Sequence, residues 1–423
     1  MHVTNVVRCV WIKRKGEVNL KLKIELDESC RVYAGTEKLN IQPLEAYSEI
    51  VCDFLDELSI SLRKNVEAAR YPDIKTFAFW CRRGNIQKLK NKFLNGGVYM
   101  GRGLAFHITP SNVPINFAFS LAFGLLSGNA NIVRIPSKEY VQMFLVCDVI
   151  RKLWQKKKYS ILAKQNLVLS YDWKGEMTKT ISEYCNIRVI WGGDETINRI
   201  RRCPIQPRAI ELVFADRYSF GIIDCETLNK SSEEELQRLA EGFYNDTYAM
   251  DQNACSTPHM MFFLQGDKVD NEKARSRFWN AVYEVAANRY ELEDIKVSDK
   301  YVELCKIAVN QPTCLLALKM ENLLYVVEVP KLEACGITEY RGQFGLFYQH
   351  GIESLDEIVP YIESKVQSVM YYGVVKEDIK DLLKENHLMG IDRIVPFGRA
   401  LNMGVFWDGY DIITQMSRVI DMQ

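Results

Sequence analysis

One of the twelve cysteines stands apart from the rest by its setting. Cys255 lies in DQNACSTP, a small polar segment between a helical pattern and the apolar run HMMFFL. Loops held on a rigid scaffold are where reactive groups are displayed. A cysteine placed there becomes a nucleophile when polar neighbours or a helix end lower its pKa from about 8.5; a plain loop thiol is the competing reading. Asn112 follows the apolar run GLAFHIT and sits between Pro110 and Pro114, which restrict the backbone on both sides. A carboxamide held that rigidly is a good donor to a developing oxyanion, an interaction whose loss costs about 10²–10³ in rate. Asparagine is equally a favoured helix N-cap, and both readings stay open. Gly192-Gly193 joins the end of IRVIW to a polar helical pattern, a junction that can hold a phosphate or form an ordinary turn. Gly101-x-Gly103 precedes its strand and is no dinucleotide fingerprint. His107, His259 and His350 are far apart, no spacing matches a metal site, and no metal is expected.

The elements that must carry these residues are legible in the pattern. GLAFHIT, the turn PSN, an apolar helix beginning near Val113, a stop at Gly128-Asn129 and NIVRIP read as strand, helix, strand. The alternation continues with a helix over 140–155, the strand LVLSYDW, a polar helix near Thr178 and the strand IRVIW. It predicts βαβ units and a mostly parallel sheet covered on both faces. VNLKLKIEL at 18–26 alternates strictly, as a half-covered strand does, and 43–65 has helical spacing. GNIQKLKNKFLNGG reads as a polar connector. Past residue 219, SFGIID, a serine-capped helix in SSEEELQRLAEGFYNDTYAM, HMMFFL, helices over 270–288, 354–370 and 377–387 and the strand LLYVVEV predict a second α/β domain. Lys156, Lys157 and Lys158 read as a solvated face.

Composition bounds the function. The chain has 423 residues, enough for two or three domains, with 54 basic residues balancing 54 acidic ones. It therefore has no global field for nucleic acid or an anionic membrane, and a small molecule or another protein is the expected partner. The apolar stretch at 115–126 is much shorter than the ~20 residues that cross a bilayer. The amino terminus lacks the order of a secretory signal, and the scattered cysteines, never CxxC, read mainly as reduced core thiols. A cytoplasmic protein without a membrane span is expected.

Several segments, in order, resemble the aldehyde dehydrogenase superfamily. ITPSNVP is similar to its strand-turn-helix, usually ITPWNFP, with the match continuing through SGNANIVRIPS; VIWGGDETINRI is similar to its phosphate-side turn and NACSTP to its nucleophile loop. NACSTPH, EYRGQFG and RIVPFGRALNMGVFWDGYD resemble most the long-chain fatty-acyl-CoA reductase family, which includes the reductase subunits of the bacterial bioluminescence fatty-acid reductase complex. The resemblance runs from about residue 95 to the C-terminus and is weak before that. It implies that Cys255 attacks an acyl thioester and holds the acyl group covalently, with the oxyanion between the Asn112 amide and the Cys255 N–H. Hydride from a nicotinamide cofactor would then release an aldehyde. It also implies cofactor contacts at Thr109, Pro110, Ser111, Arg134, Ser137, Lys138, Gly192, Gly193 and Glu339. Where oxidising members carry the hydrolytic glutamate of ELGGKS, matching Ser219 to that serine puts Phe214 in the slot; Glu211 fits only with an insertion. Where their KPSE segment carries an acid toward the adenosine ribose, this chain has Lys138, with Arg134 nearby, which favours NADPH over NADH.

The expected fold is α/β and aldehyde-dehydrogenase-like: a parallel-sheet cofactor domain, an α/β catalytic domain and oligomerisation strands. The boundaries expected are 1–90 for an N-terminal αβ segment joined to the cofactor domain, 91–212 for the cofactor domain, 213–395 for the catalytic domain and 396–423 for a return segment. The site is expected in the crevice between the large domains, where strands end. The alternating amino-terminal strand is one candidate edge for assembly. The expected function is NADPH-dependent reduction of a fatty acyl thioester, acyl-CoA or acyl-protein, by a homo-oligomer with an acyl-protein synthetase as a further partner. The rivals are a hydrolytic aldehyde dehydrogenase and a non-catalytic scaffold that binds such a synthetase.

Overall fold

The computed structural model describes residues 9–12, 21–93, 97–332 and 336–422. The chain divides into two compact units, Met1–Ala215 with Gly404–Gln423, and Asp216–Met403.

In the first unit, β1 (Cys9–Ile12), β2 (Lys21–Ile24) and β4 (Lys38–Asn40) form an antiparallel sheet. Of the alternating segment 18–26, residues 21–24 are β2, with Leu22 and Ile24 buried, and 18–20 fall outside the described residues. β2 is the centre strand, paired on both sides, so it offers no edge for assembly as the sequence reading expected. The main sheet runs in the order β10 (Ile210–Phe214), β9 (Ile187–Trp191), β6 (Leu104–Ile108), β7 (Ala130–Arg134), β8 (Asn166–Ser170), β3 (Arg31–Gly35). Its strands are parallel except for β3. β6, β8 and β9 are buried at every residue, which is why they read as mainly apolar runs. β5 (Val98–Gly101) pairs with β20 (Ser417–Ile420) of the returning chain, and β18 (Phe406–Trp407) with β19 (Tyr410–Asp411).

The helix Asn116–Leu126 is buried along its whole length. Gly124 lets it seat on the sheet, since a Cβ there would fall 1.9 Å from Asn131 Oδ1. Beneath it, Trp191 Nε1 donates to Ser120 Oγ (3.0 Å), Ser120 Oγ meets His107 Nδ1 (2.8 Å), and His107 Nε2 meets Asn131 Oδ1 (3.0 Å). Burial lowers the His107 pKa to about 4, so the ring is a neutral link in this chain.

The second unit is one seven-stranded sheet in the order β13 (Leu315–Met320), β14 (Leu324–Glu328), β15 (Leu346–Ile352), β12 (Pro258–Leu264), β11 (Tyr218–Asp224), β16 (Val366–Tyr372), β17 (Arg393–Pro396), parallel except for β13. The helices Glu233–Asp246 and Asn271–Arg289 cover one face. The first starts with a capping box between Ser232 and Glu235, as the serine-capped pattern predicted.

Two sequence expectations fail locally. GNIQKLKNKFLNGG is no connector: Arg83–Phe93 is a helix, with Ile86 and Phe93 two turns apart on its buried face. The helix expected over 354–370 is a 3-10 stretch, Leu355–Tyr361, followed by β16. Pro360 ends the helical part, and VQSVMYY carries the β-branched and aromatic residues of a central strand.

Candidate active site

Nearly all the residues expected to meet a cofactor in the first unit gather at the carboxyl ends of its parallel strands. Thr109 closes β6; it is buried, and both its N–H and Oγ donate to the Arg134 carbonyl (3.1 and 3.0 Å), tying the end of β6 to the end of β7. That hydroxyl is committed to structure. Half-buried Pro110 and exposed Ser111 and Asn112 follow, with the Ser111 carbonyl accepting from Tyr140 Oη (2.7 Å). The helix opens later than expected, at Asn116; its N-cap position is Ile115 and carries no side-chain cap. Asn112 is therefore not the cap, and that bland alternative falls.

Arg134 projects from the end of β7 beside the Tyr171 ring (5.4 Å). Its Nε is buried without a hydrogen-bond partner, and burial depresses the guanidinium pKa. Ser137 and Lys138 are exposed, Lys138 Nζ standing 4.9 Å from the Tyr140 ring centre. The acid one residue further on, Glu139, is paired with Arg31. Gly192 and Gly193 lie between β9 and the helix Asp194–Arg201, and a Cβ on Gly193 would meet nothing within 4 Å.

Glu211, the only route to a hydrolytic glutamate, is occupied. Its Oε2 accepts from Arg188 Nε (2.7 Å) and Nη2, and its Oε1 from Arg201 Nε (2.7 Å). Because Arg188 is almost wholly buried, this carboxylate neutralises a charge that would otherwise be stranded in the core. Phe214 lies flat on Trp191 with ring centres 3.7 Å apart. An apolar stack thus stands where the resemblance would place the base.

In the second unit Cys255 is exposed, as is Cys305, whereas Cys52, Cys81, Cys147, Cys185 and Cys225 are buried thiols. The loop that carries it is fixed on every side. Asp251 and Gln252 both take left-handed backbone (φ 52° and 59°), a conformation non-glycine residues hold only when their surroundings impose it. Asp251 accepts from Tyr290 Oη (2.6 Å) and Lys296 Nζ (3.0 Å). The Gln252 amide accepts from the Gly345 N–H (2.6 Å) and donates to the Leu346 carbonyl (2.9 Å). Thr257 Oγ donates to the Asp246 carbonyl (2.8 Å), and Ser219 Oγ to the Cys255 carbonyl itself (2.8 Å). Of these anchors the sequence reading noticed only Ser219, and only as an alignment marker; the left-handed tolerance of Asp and Asn in DQN was the available hint.

Cys255 precedes β12 and the segment bearing Glu339 precedes β15, the neighbouring parallel strand. Both therefore belong to the amino ends of this sheet, which corrects the expectation that the site collects where strands end. His259 Nδ1 donates to the Gly342 carbonyl (3.1 Å), linking the two segments. Burial, with Arg341 as a second cause, lowers its pKa to about 3, so it is a neutral tie and no ion-pair partner for a thiolate. Glu339 is exposed at the end of the 3-10 turn Ile337–Glu339. Among the described residues no group of three or more His, Cys, Asp or Glu could hold a metal ion, and no helix is long and apolar enough to cross a membrane.

Two mainly parallel sheets, one with its turns after the strand ends and the other with an exposed cysteine on a fixed loop before a strand, give an aldehyde-dehydrogenase-like class of fold. Solved structures share the fold: an oxidoreductase from Marinobacter aquaeolei (12% identity, TM-score 0.63, 90% of this chain and 87% of that one) and a 1-pyrroline-5-carboxylate dehydrogenase from Thermus with bound NAD (12%, 0.59, 88% and 80%). Within that class, residues 84–290 match the family described as Acyl-CoA reductase (LuxC), so the resemblance read from the motifs holds. A long-chain acyl-protein thioester reductase of Aliivibrio fischeri is 22% identical over 327 residues, 74% of this chain and 63% of the relative. The chain thus spans less than two thirds of that relative's length.

Proposed function

We propose that this protein reduces a fatty acyl thioester to the fatty aldehyde through an acyl group carried on Cys255. The observation that carries the reading is the exposed Cys255 thiol on a loop pinned by Ser219, Gln252, Asp251 and Thr257, in a chain similar to acyl reductases. The Cys255 thiolate adds to the thioester carbonyl, with the Asn112 amide and the Cys255 N–H as donors to the oxyanion. Collapse breaks the carbon–sulfur bond to the donor, which leaves as its thiolate and takes up a proton, and the acyl group stays on Cys255. With Glu211 neutralising Arg188 and Phe214 packed on Trp191, this chain presents no base of the ELGGKS type to activate water against that acyl group.

The residues of the first unit fit a nicotinamide cofactor. Thr109, Pro110 and Ser111 form the turn after β6, Gly192 and Gly193 precede a helix start suited to phosphate, with open space at Gly193, and the unpartnered Arg134 Nε together with Lys138 suits the 2′-phosphate of NADPH. Glu339 would take the nicotinamide ribose. Bound there, a reduced nicotinamide would supply hydride to the acyl carbon, with the Cys255 thiolate leaving as the aldehyde forms. The donor is an acyl-CoA or an acylated protein; self-association and an acyl-protein synthetase partner belong to the same reading, as does a cytoplasmic setting, which suits the buried thiols.

Incubation with acyl-CoAs of graded length, followed by peptide mass spectrometry, tests this. An acyl adduct should appear on Cys255, vanish in Cys255→Ala, and form about 10²–10³-fold more slowly in Asn112→Ala. No adduct at any chain length, or one on another residue, would refute the reading.

A further inference from the structure

Ser219 stands at a double irregularity in the second sheet. β11 runs between β12 and β16, and on both sides the ladder slips by one residue at this position. Toward β12 the pairing steps from Ser219 with Pro258 to Phe220 with Met260, passing over His259. Toward β16 it steps from Tyr218 with Val366 to Ser219 with Ser368, passing over Gln367. A bulge gives up a regular ladder contact and re-aims what lies at it; here two of them flank one fully buried serine. What the serine does with that freedom is specific. Its Oγ accepts the Ser368 N–H (3.2 Å) and donates to the Cys255 carbonyl (2.8 Å). An N–H can only donate, so the hydroxyl proton is directed to Cys255.

The consequence falls on the backbone of the nucleophile. The peptide after Cys255 is held by Ser219 through its carbonyl. The peptide before it, which carries the Cys255 N–H, is held by the Thr257 N–H on the Ala254 carbonyl (3.0 Å). With both flanking peptides fixed, φ and ψ of Cys255 are set, and with them the direction of its Cα–Cβ bond relative to its own N–H. Those are the two groups that must meet one carbonyl at once, the sulfur at its carbon and the N–H at its oxygen.

We propose that Ser219 is a positioning residue for Cys255: at the double bulge of β11 it passes a hydrogen bond from the Ser368 N–H to the Cys255 carbonyl and so fixes the geometry in which the thiol and the Cys255 N–H engage a thioester. The proposal deepens the acyl-transfer reading and rests on it. Reacting atoms must approach to about 3–3.5 Å in alignment, and a displacement near 1 Å can cost about 10²-fold. A small alkylating agent needs only the sulfur and is indifferent to the N–H.

The test compares wild type, Ser219→Ala and Ser231→Ala. Ser231 is the control, a buried hydroxyl elsewhere in the same unit that bonds the Thr227 carbonyl and Tyr372 Oη. Single-turnover acylation of Cys255 by tetradecanoyl-CoA is followed by mass spectrometry, alongside Cys255 alkylation by iodoacetamide. Ser219→Ala should lower the limiting acylation rate by about 10–100-fold. Its half-saturating acyl-CoA concentration and its alkylation rate should stay within about threefold of wild type, and Ser231→Ala should acylate normally. Wild-type acylation by Ser219→Ala overturns the proposal while leaving the acyl-transfer reading intact. Equal slowing of acylation and alkylation, or equal slowing in Ser231→Ala, overturns it in favour of general loosening. A wild type never acylated at Cys255 overturns the reading, and the proposal with it.

Discussion

Lys138 is the residue at which cofactor preference is most directly exposed to test. It stands in solvent against the Tyr140 ring, while its sequence neighbour Glu139 is drawn off by Arg31. A 2′-phosphate bound here as proposed would meet a positive field, with the orphaned Arg134 Nε as a second donor. Lys138→Glu should weaken NADPH binding by about tenfold or more, since a charge-assisted contact is replaced by repulsion, and leave NADH binding within a few-fold. Calorimetric titration of the two cofactors checks this; equal weakening of both would place the 2′-phosphate elsewhere. Residue types were the readable part of this site. Cys255 stood out by its small polar loop, and Lys138 only through the resemblance to the KPSE segment. Ser219 did not, because its proposed role lies in a contact with a carbonyl 36 residues away and an N–H 149 residues away, which no local pattern encodes.

At the scale of elements, the helix Glu233–Asp246 does more than cover the sheet. At its end Asp246 accepts the N–H groups of Gly398 (2.6 Å) and Ala400 (2.9 Å), while its own carbonyl holds Thr257. Gly242 and Gly398 make the close approach of helix and loop possible, because a Cβ on either would sit 3.1 Å from the other segment. Burial pushes the Asp246 carboxyl up to about 7, against the pull of those N–H donors. The folded pKa thus lies above the ordinary 3.8, so the stability tied to its protonation is full below about pH 4 and is lost as pH rises through 7, by up to about 4 kcal/mol. Asp246→Asn cannot titrate. From pH 5 to 8 wild type should lose stability relative to this variant, on top of a fixed offset from the altered hydrogen bonds. Denaturant midpoints across that range check it, and a wild type that gains on the variant as pH rises would contradict the assignment. Most elements were legible because βα alternation leaves a strong period. The 354–370 stretch was not: SLDEIVPYIESKV has helical spacing that Pro360 interrupts, and pairing with β11 and β17 settles Val366–Tyr372 as strand.

The whole molecule combines a unit whose expected ligand residues follow parallel strands with a unit whose proposed nucleophile precedes them. The first arrangement was foreseeable from strand-turn-glycine signals. The second was not, because the order loop-then-strand around Cys255 reads the same whichever end of the sheet it occupies until β12 is paired with β11 and β15. Both arrangements serve one central claim, that an acyl group on Cys255 is released by hydride and not by water. The most direct measurement isolates the acyl-enzyme, adds NADPH in a single turnover, and quantifies the products. The claim predicts fatty aldehyde in a one-to-one ratio with NADPH consumed and negligible free acid; free acid released without NADPH consumption would contradict it.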